Sequence, residues 1–330
     1  MSNEIRRCIN CLISETFPGV KFGDDEVCNL CKKFDPEKEK QIVEANRKKI
    51  DTLINEKKGI NRYDVIVSYS GGKDSSYTLY YLRKTYDLNI LALLVDNDFV
   101  AKQAWENARN VTARLGIDLM IFKPDPIFMH HMFKVARDEN LYSISQLMRA
   151  NSICLSCINL ISNITLNEAI IHKIPIVAGG YIDGQMPSSG GVIRTDSKFF
   201  KEENEKKRMY FVSKFGEKIN NYYKIPECSE NQIYPVIINP MLGLEYSENK
   251  VIETISKYGW QKPLDTGSSS SNCLLNDYAI AVHYQKYKYH SYESEICLQV
   301  RKGFMSKEEA LSKFNDIKSP EDFTNAIFKF

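Results

Sequence analysis

The sequence predicts an α/β fold: a doubly wound parallel sheet with a zinc-ribbon-like module before it and a mainly helical part after it. Three observations lead there. Short apolar runs rich in Val, Ile and Leu alternate with helical patterns from Tyr63 to Gln185. The first of these runs, YDVIVSYS, passes through Gly71-Gly72 directly into the helical pattern SSYTLYYLRKTY. Two C-x-x-C pairs stand within the first 34 residues. The expected divisions are a ribbon over 1–34, a linker helix over 35–60, a nucleotide-type domain over 61–220 and a C-terminal, mainly helical region over 221–330.

The stretch SYSGGKDSS, Ser68 to Ser76, organises the chain. A strand that turns into a helix presents backbone N–H groups and the positive end of a helix dipole to an anion. Gly71 and Gly72 permit the tight turn and the close approach of phosphate oxygens. Lys73 adds a mobile positive charge, and Ser68, Ser70, Ser75 and Ser76 complete the polar lining. Asp74 is out of place in a simple anion site and suits a magnesium ion that accompanies phosphates. The spacing G-x-x-x-x-G-K-[ST] of a Walker A loop is absent.

Further strands are expected in NILALLVDND, IDLMIFKP and IPIVAGGYIDGQ, with helices in AKQAWENARNVTARLG and MHHMFKVARDENL. In such a sheet the ligand lies at the carboxyl ends of the strands. The 68–76 loop, Asp96 and Gly179-Gly180 therefore converge on one crevice, with Asn97 beside Asp96. A plain helix N-cap is the other reading of Asp96. Past residue 220 the pattern gives a short strand, IYPVIINP, then the helices SENKVIETISKYG and DYAIAVHYQKYKY. A last helix opens on a Ser306–Glu309 capping box. KFFKEENEKKR, with its mixed charges, reads as a solvated helix.

Nine cysteines and no apolar leader or long apolar run point to a cytoplasmic chain that uses its thiols for metal or redox chemistry. Cys8, Cys11, Cys28 and Cys31 form two knuckles separated by sixteen residues, the spacing of a four-thiolate zinc site. A rubredoxin-like iron site is the other way to fill it. Cys154 and Cys157 form a further C-x-x-C just before a helical pattern, where a helix dipole lowers thiol pKa values. Cys273, in the polar loop DTGSSSSNCLLN, and Cys228, in KIPECSEN, are the candidates for a third partner. Cys297, at apolar spacing in EICLQVRKG, reads as core, and His283 and His290 as structural.

S-G-G-K-D-S at the end of the first strand resembles the PP-loop of the ATP pyrophosphatase (adenine nucleotide alpha hydrolase-like) superfamily. That resemblance implies binding of ATP with Mg2+, adenylation of a carbonyl or amide oxygen, release of pyrophosphate, and displacement of AMP by a sulfur species or ammonia. Lys73 and Asp74 would then act on the ATP phosphates. A C-x-x-C within this domain plus one distant cysteine is similar to the tRNA 2-thiolation sulfurtransferases. By that resemblance Cys154, Cys157 and Cys273 (or Cys228) would hold a 4Fe–4S cluster with one iron open to sulfide or, without a cluster, carry the sulfur as a cysteine persulfide. Cys273 is preferred because its Gly-Ser loop allows close approach to inorganic sulfur.

The opening C-x-N-C…FPG…F…V-C-N-x-C followed by S-G-G-K-D-S also resembles the N-acetyl sugar amidotransferases, in which ammonia comes from a partner glutaminase. GGYIDGQ matches neither the Gly-Glu expected of the sugar enzymes nor the Gly-His-x-x-Asp-Asp of the tRNA thiolation enzymes. A formal net charge of +2 and no basic extension give no support to tRNA as partner. The acceptor is left open between a small molecule and a carrier-bound group. No membrane is expected, and a homodimer is what the resemblance implies for assembly. A third reading is an ATP-sensing module without turnover, against which the retention of Lys73 and Asp74 speaks.

Overall fold

The computed structural model describes residues 5–226 and 234–323; Cys228 lies outside the described residues. Six strands form one sheet in the order β3-β2-β1-β4-β6-β5. They are β1 (Val65–Ser68), β2 (Ile90–Val95), β3 (Asp118–Phe122), β4 (Ile176–Ala178), β5 (Val192–Arg194) and β6 (Val236–Ile238). Neighbours pair in parallel except β5, which runs antiparallel to β6 at the edge. The strand alternation sorts side chains cleanly. Val65 and Val67 of β1, with Ile90, Ala92 and Leu94 of β2, enter one core. Ile66, Leu91, Leu93 and Val95 enter the core on the opposite face. Burial on both faces is why these strands read as continuous apolar runs.

The helices are α1 (Asn29–Lys32), α2 (Pro36–Lys57), α3 (Lys73–Tyr86), α4 (Lys102–Leu115), α5 (Pro126–Asp138), α6 (Ile144–Leu147) and α7 (Ser152–Ile171). They continue with α8 (Lys198–Phe215), α9 (Asn220–Tyr223), α10 (Glu248–Ser256), α11 (Asn276–Tyr287), α12 (Glu293–Arg301) and α13 (Lys307–Asn315). One core takes Leu79 and Leu82 of α3, Ala108 and Val111 of α4 and Ile255 of α10. The other takes residues of α5, α7, α8, α9 and α11. Gly116 closes α4 in the left-handed conformation, as its place in the sequence anticipates. By length and composition α7 could cross a membrane. Its apolar character has another cause here, since Leu160, Ile164 and Ala169 pack into the second core beside α5, α9 and α11.

Three expectations change. The helix over 35–60 does more than link, because Ile50, Leu53 and Ile54 of α2 enter the core beneath the sheet. The charged helix KFFKEENEKKR runs on to Phe215 and buries Phe211 and Phe215, so it is not solvated along its whole length. The sheet crosses residue 220, because β6 pairs with β4 and β5 adds an edge that the pattern GGVIRTD did not signal.

The ribbon and the C-terminal helices share a third core. Cys8, Cys11, Ile13, Phe17 and Cys28 pack with Tyr289, Ile296, Cys297, Ala310 and Phe314. The Ser306–Glu309 capping box forms as expected. On the far side, Asn46 of α2 donates to the carbonyls of Ser188 at 2.6 Å and Leu242 at 3.2 Å. Asn46→Ala leaves both carbonyls without their donor, and urea unfolding is expected to show a loss of about 1–3 kcal/mol.

Candidate active site

The chain leaves β1 at Ser68 and enters α3 at Lys73, so the polar loop sits at the carboxyl end of the central strand. Gly71 has φ +73°, and a Cβ there would lie 2.2 Å from the Ala104 carbonyl oxygen of α4. Only glycine meets both conditions. The Gly71 carbonyl is held from outside by Trp260 Nε1 at 3.0 Å and Asn107 Nδ2 at 3.4 Å. A Cβ on Gly180 would approach Ser75 Cα to 3.0 Å, which brings the β4 loop against the first turn of α3.

Gly72 is the N-cap of α3 and provides no side-chain cap. The Lys73 N–H instead meets Ser271 Oγ at 3.2 Å, so the Gly-Ser loop closes over the helix start. Lys73 Nζ lies 2.8 Å from Asp74 Oδ2 and 2.8 Å from Tyr246 Oη. The Tyr246 hydroxyl donates to Asp74 Oδ1 at 2.9 Å, which completes a triangle. Burial works against the Lys73 ammonium, but Asp74, Tyr246 and Glu248 outweigh it and hold its pKa well above the usual lysine value.

These groups open on a cavity of about 330 Å3. Ser68, Ser70, Gly72, Lys73, Asp74, Ser75, Gly179 and Gly180 line it, and so do Cys154, Cys157 and Cys273. The phosphate-type loop and the second cysteine set therefore share one chamber, although 197 residues separate Cys273 from Ser76 in the sequence. Three sequence candidates stand elsewhere. Ser76 is buried with its hydroxyl 3.2 Å from Tyr69 Oη. Gly71 serves the turn through its conformation and carbonyl. Asp96 pairs with Lys123 at 3.0 Å, and Asn97 rather than Asp96 borders the cavity.

Cys154 and Cys157 lie within α7, whose N-cap Asn151 accepts from the Cys154 N–H at 2.8 Å. The helix thus begins before the pair, not after it. Burial also reverses the expected thiol shift: it pushes Cys154 up to about 12 and raises Cys157 and Cys273 as well. A helix dipole is too weak to offset desolvation of a thiolate in this chamber. As free thiols these cysteines are neutral at pH 7, and ionisation calls for a metal or an equivalent cation.

Sequence reasoning missed Glu295 of α12, which forms part of the same wall together with Tyr292, the N-cap of that helix. The only hint was a lone carboxylate in the apolar pattern EICLQV. Gln185 Nε2 donates to Glu295 Oε2 at 3.0 Å. Glu295 is half-buried, and its open side faces the cavity. Burial, opposed by Lys73 and Gln185 and assisted by Asp74 and Glu248, lifts its carboxyl to about 7.

At the N-terminus Cys8, Cys11, Cys28 and Cys31 bring their sulfurs within 4.8 Å of one another. The Cys8–Cys31 pair is 3.8 Å apart and Cys11–Cys28 3.7 Å. A tetrahedron with metal–sulfur bonds of about 2.3 Å has edges of about 3.8 Å, so the donor set fits a single tetrahedral metal such as zinc. Arg301 of α12 donates to Cys31 Sγ and Cys11 Sγ, both at 3.4 Å. Cys297 and Arg301 together bring the Cys11 thiol down to about 4. Among the described residues, no other group of three or more His, Cys, Asp or Glu side chains meets the same closeness. All eight described cysteines are free.

Arg301→Gln removes the cation that offsets charge on the ribbon thiolates. When both proteins are loaded with zinc, a chromogenic chelator is expected to draw it from the variant several-fold faster than from the wild type. For Glu295 the sign follows from linkage. Its unfolded carboxyl ionises near 4.5 and its folded one near 7, so it weakens stability as pH rises through that window. Glu295→Gln should therefore be more stable than wild type by about 1–3 kcal/mol at pH 8 and indistinguishable at pH 4. Denaturant unfolding at the two pH values reads the difference.

No family model matches the chain. An uncharacterized protein of Methanocaldococcus jannaschii is 27% identical over 320 residues, covering 96% of this chain and 95% of its own. Among solved structures, the U34-tRNA thiolase of Methanococcus maripaludis with its 4Fe–4S cluster is similar at TM-score 0.38 and 15% identity, over 89% of this chain and 83% of that one. The NMN synthetase of Francisella tularensis is similar at TM-score 0.40 and 14% identity, over 88% and 94%. These similarities are distant, and the site stands on its own residues. A doubly wound parallel sheet with S-G-G-K-D-S at the carboxyl end of its central strand is the arrangement that the PP-loop resemblance implies.

Proposed function

We propose that the chain is a cytoplasmic ATP pyrophosphatase that adenylates a carbonyl or amide oxygen and then replaces that oxygen with sulfur. The observation that carries this reading is the shared cavity, in which Lys73, Asp74 and the first turn of α3 face the same space as Cys154, Cys157 and Cys273. Lys73 and the α3 N-terminus would neutralise the triphosphate, with Lys262 and Lys313 also lining the space. Asp74 would hold the accompanying magnesium, since each of its oxygens keeps a lone pair beyond its present hydrogen bond. The acceptor oxygen attacks the α-phosphate and pyrophosphate leaves. A sulfur nucleophile then displaces AMP. Glu295, close to neutrality at the cavity wall, is placed to hold or release the proton involved.

The second cysteine set fits an iron–sulfur group in the chemistry of its donors: three thiol sulfurs that line one chamber. A 4Fe–4S cluster bound there would supply a site for inorganic sulfide. The N-terminal set would hold zinc as a structural ion, because all four positions are filled by protein ligands.

One observation favours a second reading. The four-cysteine ribbon ahead of S-G-G-K-D-S is the pattern in which the chain resembles the N-acetyl sugar amidotransferases, and on that reading ammonia would be the nucleophile. The acceptor would then be an N-acetyl sugar and the partner a glutaminase.

Anaerobic purification with iron, zinc and sulfide analysis separates the two. About one zinc with four iron and four sulfide per chain is expected for sulfur transfer. One zinc and no iron after reconstitution supports the ammonia reading. Cys154→Ala should lose the iron while MgATP affinity, measured by calorimetry, stays within about twofold. Lys73→Ala should weaken MgATP binding by about tenfold or more.

A further inference from the structure

The three cavity cysteines have two asparagine side chains set against them. Asn97 follows β2 and is buried. Its Oδ1 accepts the Phe99 N–H at 3.0 Å, which fixes the orientation of the amide. Nδ2 is thereby aimed at sulfur, 3.4 Å from Cys157 Sγ and 3.9 Å from Cys273 Sγ. An amide nitrogen has two N–H groups, and here each has a sulfur to meet.

Asn276, the first residue of α11, is also buried and stands at the third sulfur. Its Oδ1 accepts from the Tyr292 hydroxyl at 2.7 Å and from Cys154 Sγ at 3.6 Å. Its Nδ2 is buried without a hydrogen-bond partner. An amide nitrogen left bare in a core forfeits two donors, a cost of the order that unfolds marginal proteins. Turning the amide by 180° would point Nδ2 at Cys154 Sγ and at Tyr292 Oη, leaving one bare carbonyl oxygen instead of two bare N–H groups. That orientation requires Cys154 Sγ to accept the hydrogen bond, as a sulfur that ligates a cluster does.

We propose that Asn97 and Asn276 are positioning residues that present side-chain N–H groups to an anionic sulfur group held by Cys154, Cys157 and Cys273. The inference rests on the sulfur-transfer reading above and deepens it: all three sulfurs have an amide within reach, on two different elements. N–H···S bonds to a cluster's ligand sulfurs stabilise its more negative, reduced form and so raise its potential. Asn97 donates as the side chains stand, and Asn276 donates once its unpartnered amide nitrogen is turned toward Cys154.

The test uses the full chain, reconstituted anaerobically with ferrous iron and sulfide, as wild type, Asn97→Ala, Asn97→Asp, Asn276→Leu and the Asn97→Ala/Asn276→Leu double variant. Circular dichroism and thermal unfolding check that each is folded, and spectroelectrochemical titration reads the midpoint potential. Asn97→Ala and Asn276→Leu should each shift the potential downward, the double variant further than either. Asn97→Asp, which swaps one donor for an acceptor, should shift it more than Asn97→Ala or fail to retain iron. Potentials and iron content equal to wild type in folded single and double variants would overturn the assignment. A wild type that takes up no iron would instead remove the sulfur-transfer reading, and this inference with it.

Discussion

The contact on which much else depends is the pair of N–H···S bonds from Arg301 to Cys11 and Cys31. Four thiolates around a divalent metal leave net negative charge in a buried place, and a guanidinium is the cation best suited to offset it without being desolvated at large cost. Because Arg301 belongs to α12, the contact pins that helix to the ribbon. Glu293 of the same helix accepts from the Ser14 N–H at 2.5 Å and pairs with Arg7. Two residues on, Glu295 lines the cavity. Lys302, just past the helix end, reaches Asp183 at 2.7 Å and Glu39 at 2.9 Å. The ribbon, the loop after β4 and the cavity wall are thus joined through a single nine-residue helix.

The second organising constraint is steric. Gly71 is wedged under Ala104 and held by Trp260 and Asn107, so the loop after β1 cannot relax away from the strand. Everything on the other side of the chamber closes toward it: Ser271 onto the Lys73 amide, Tyr246 onto Lys73 and Asp74, Cys273 beside Asn97. The result is a space with cationic and anionic groups at one end and neutral sulfur at the other. Such a space suits a reaction in which charge leaves at the phosphate end and a sulfur or nitrogen nucleophile arrives from the opposite side.

Much of this was legible in residue order. SYSGGKDSS gave the turn and its neighbours, because strand, glycine pair and helix are adjacent in the chain and their preferences are local. The four ribbon cysteines were legible through their spacing, which tetrahedral coordination constrains. Less visible were the groups that reach the site from far along the chain. Tyr246 and Glu295 have no local pattern to mark them, and nothing in residue order tells Asp96 from its neighbour Asn97, which is the one that borders the cavity. The thiol pKa values went the other way from expectation because a dipole can be inferred from sequence and a desolvation penalty cannot.

By itself, then, the sequence determined the five parallel strands, the phosphate-type loop and the four-cysteine ribbon, since each depends on periodicity, spacing or a glycine conformation within a few dozen residues. Tertiary structure alone decided that Cys273 stands with Cys154 and Cys157, that Asn97 and Asn276 face them, and that a C-terminal helix joins ribbon to cavity. Those placements arise from packing across hundreds of residues, where what matters is which faces meet and how much water they exclude. The chemistry of a buried sulfur or carboxylate follows from that exclusion, and it exists only once the chain has closed around it.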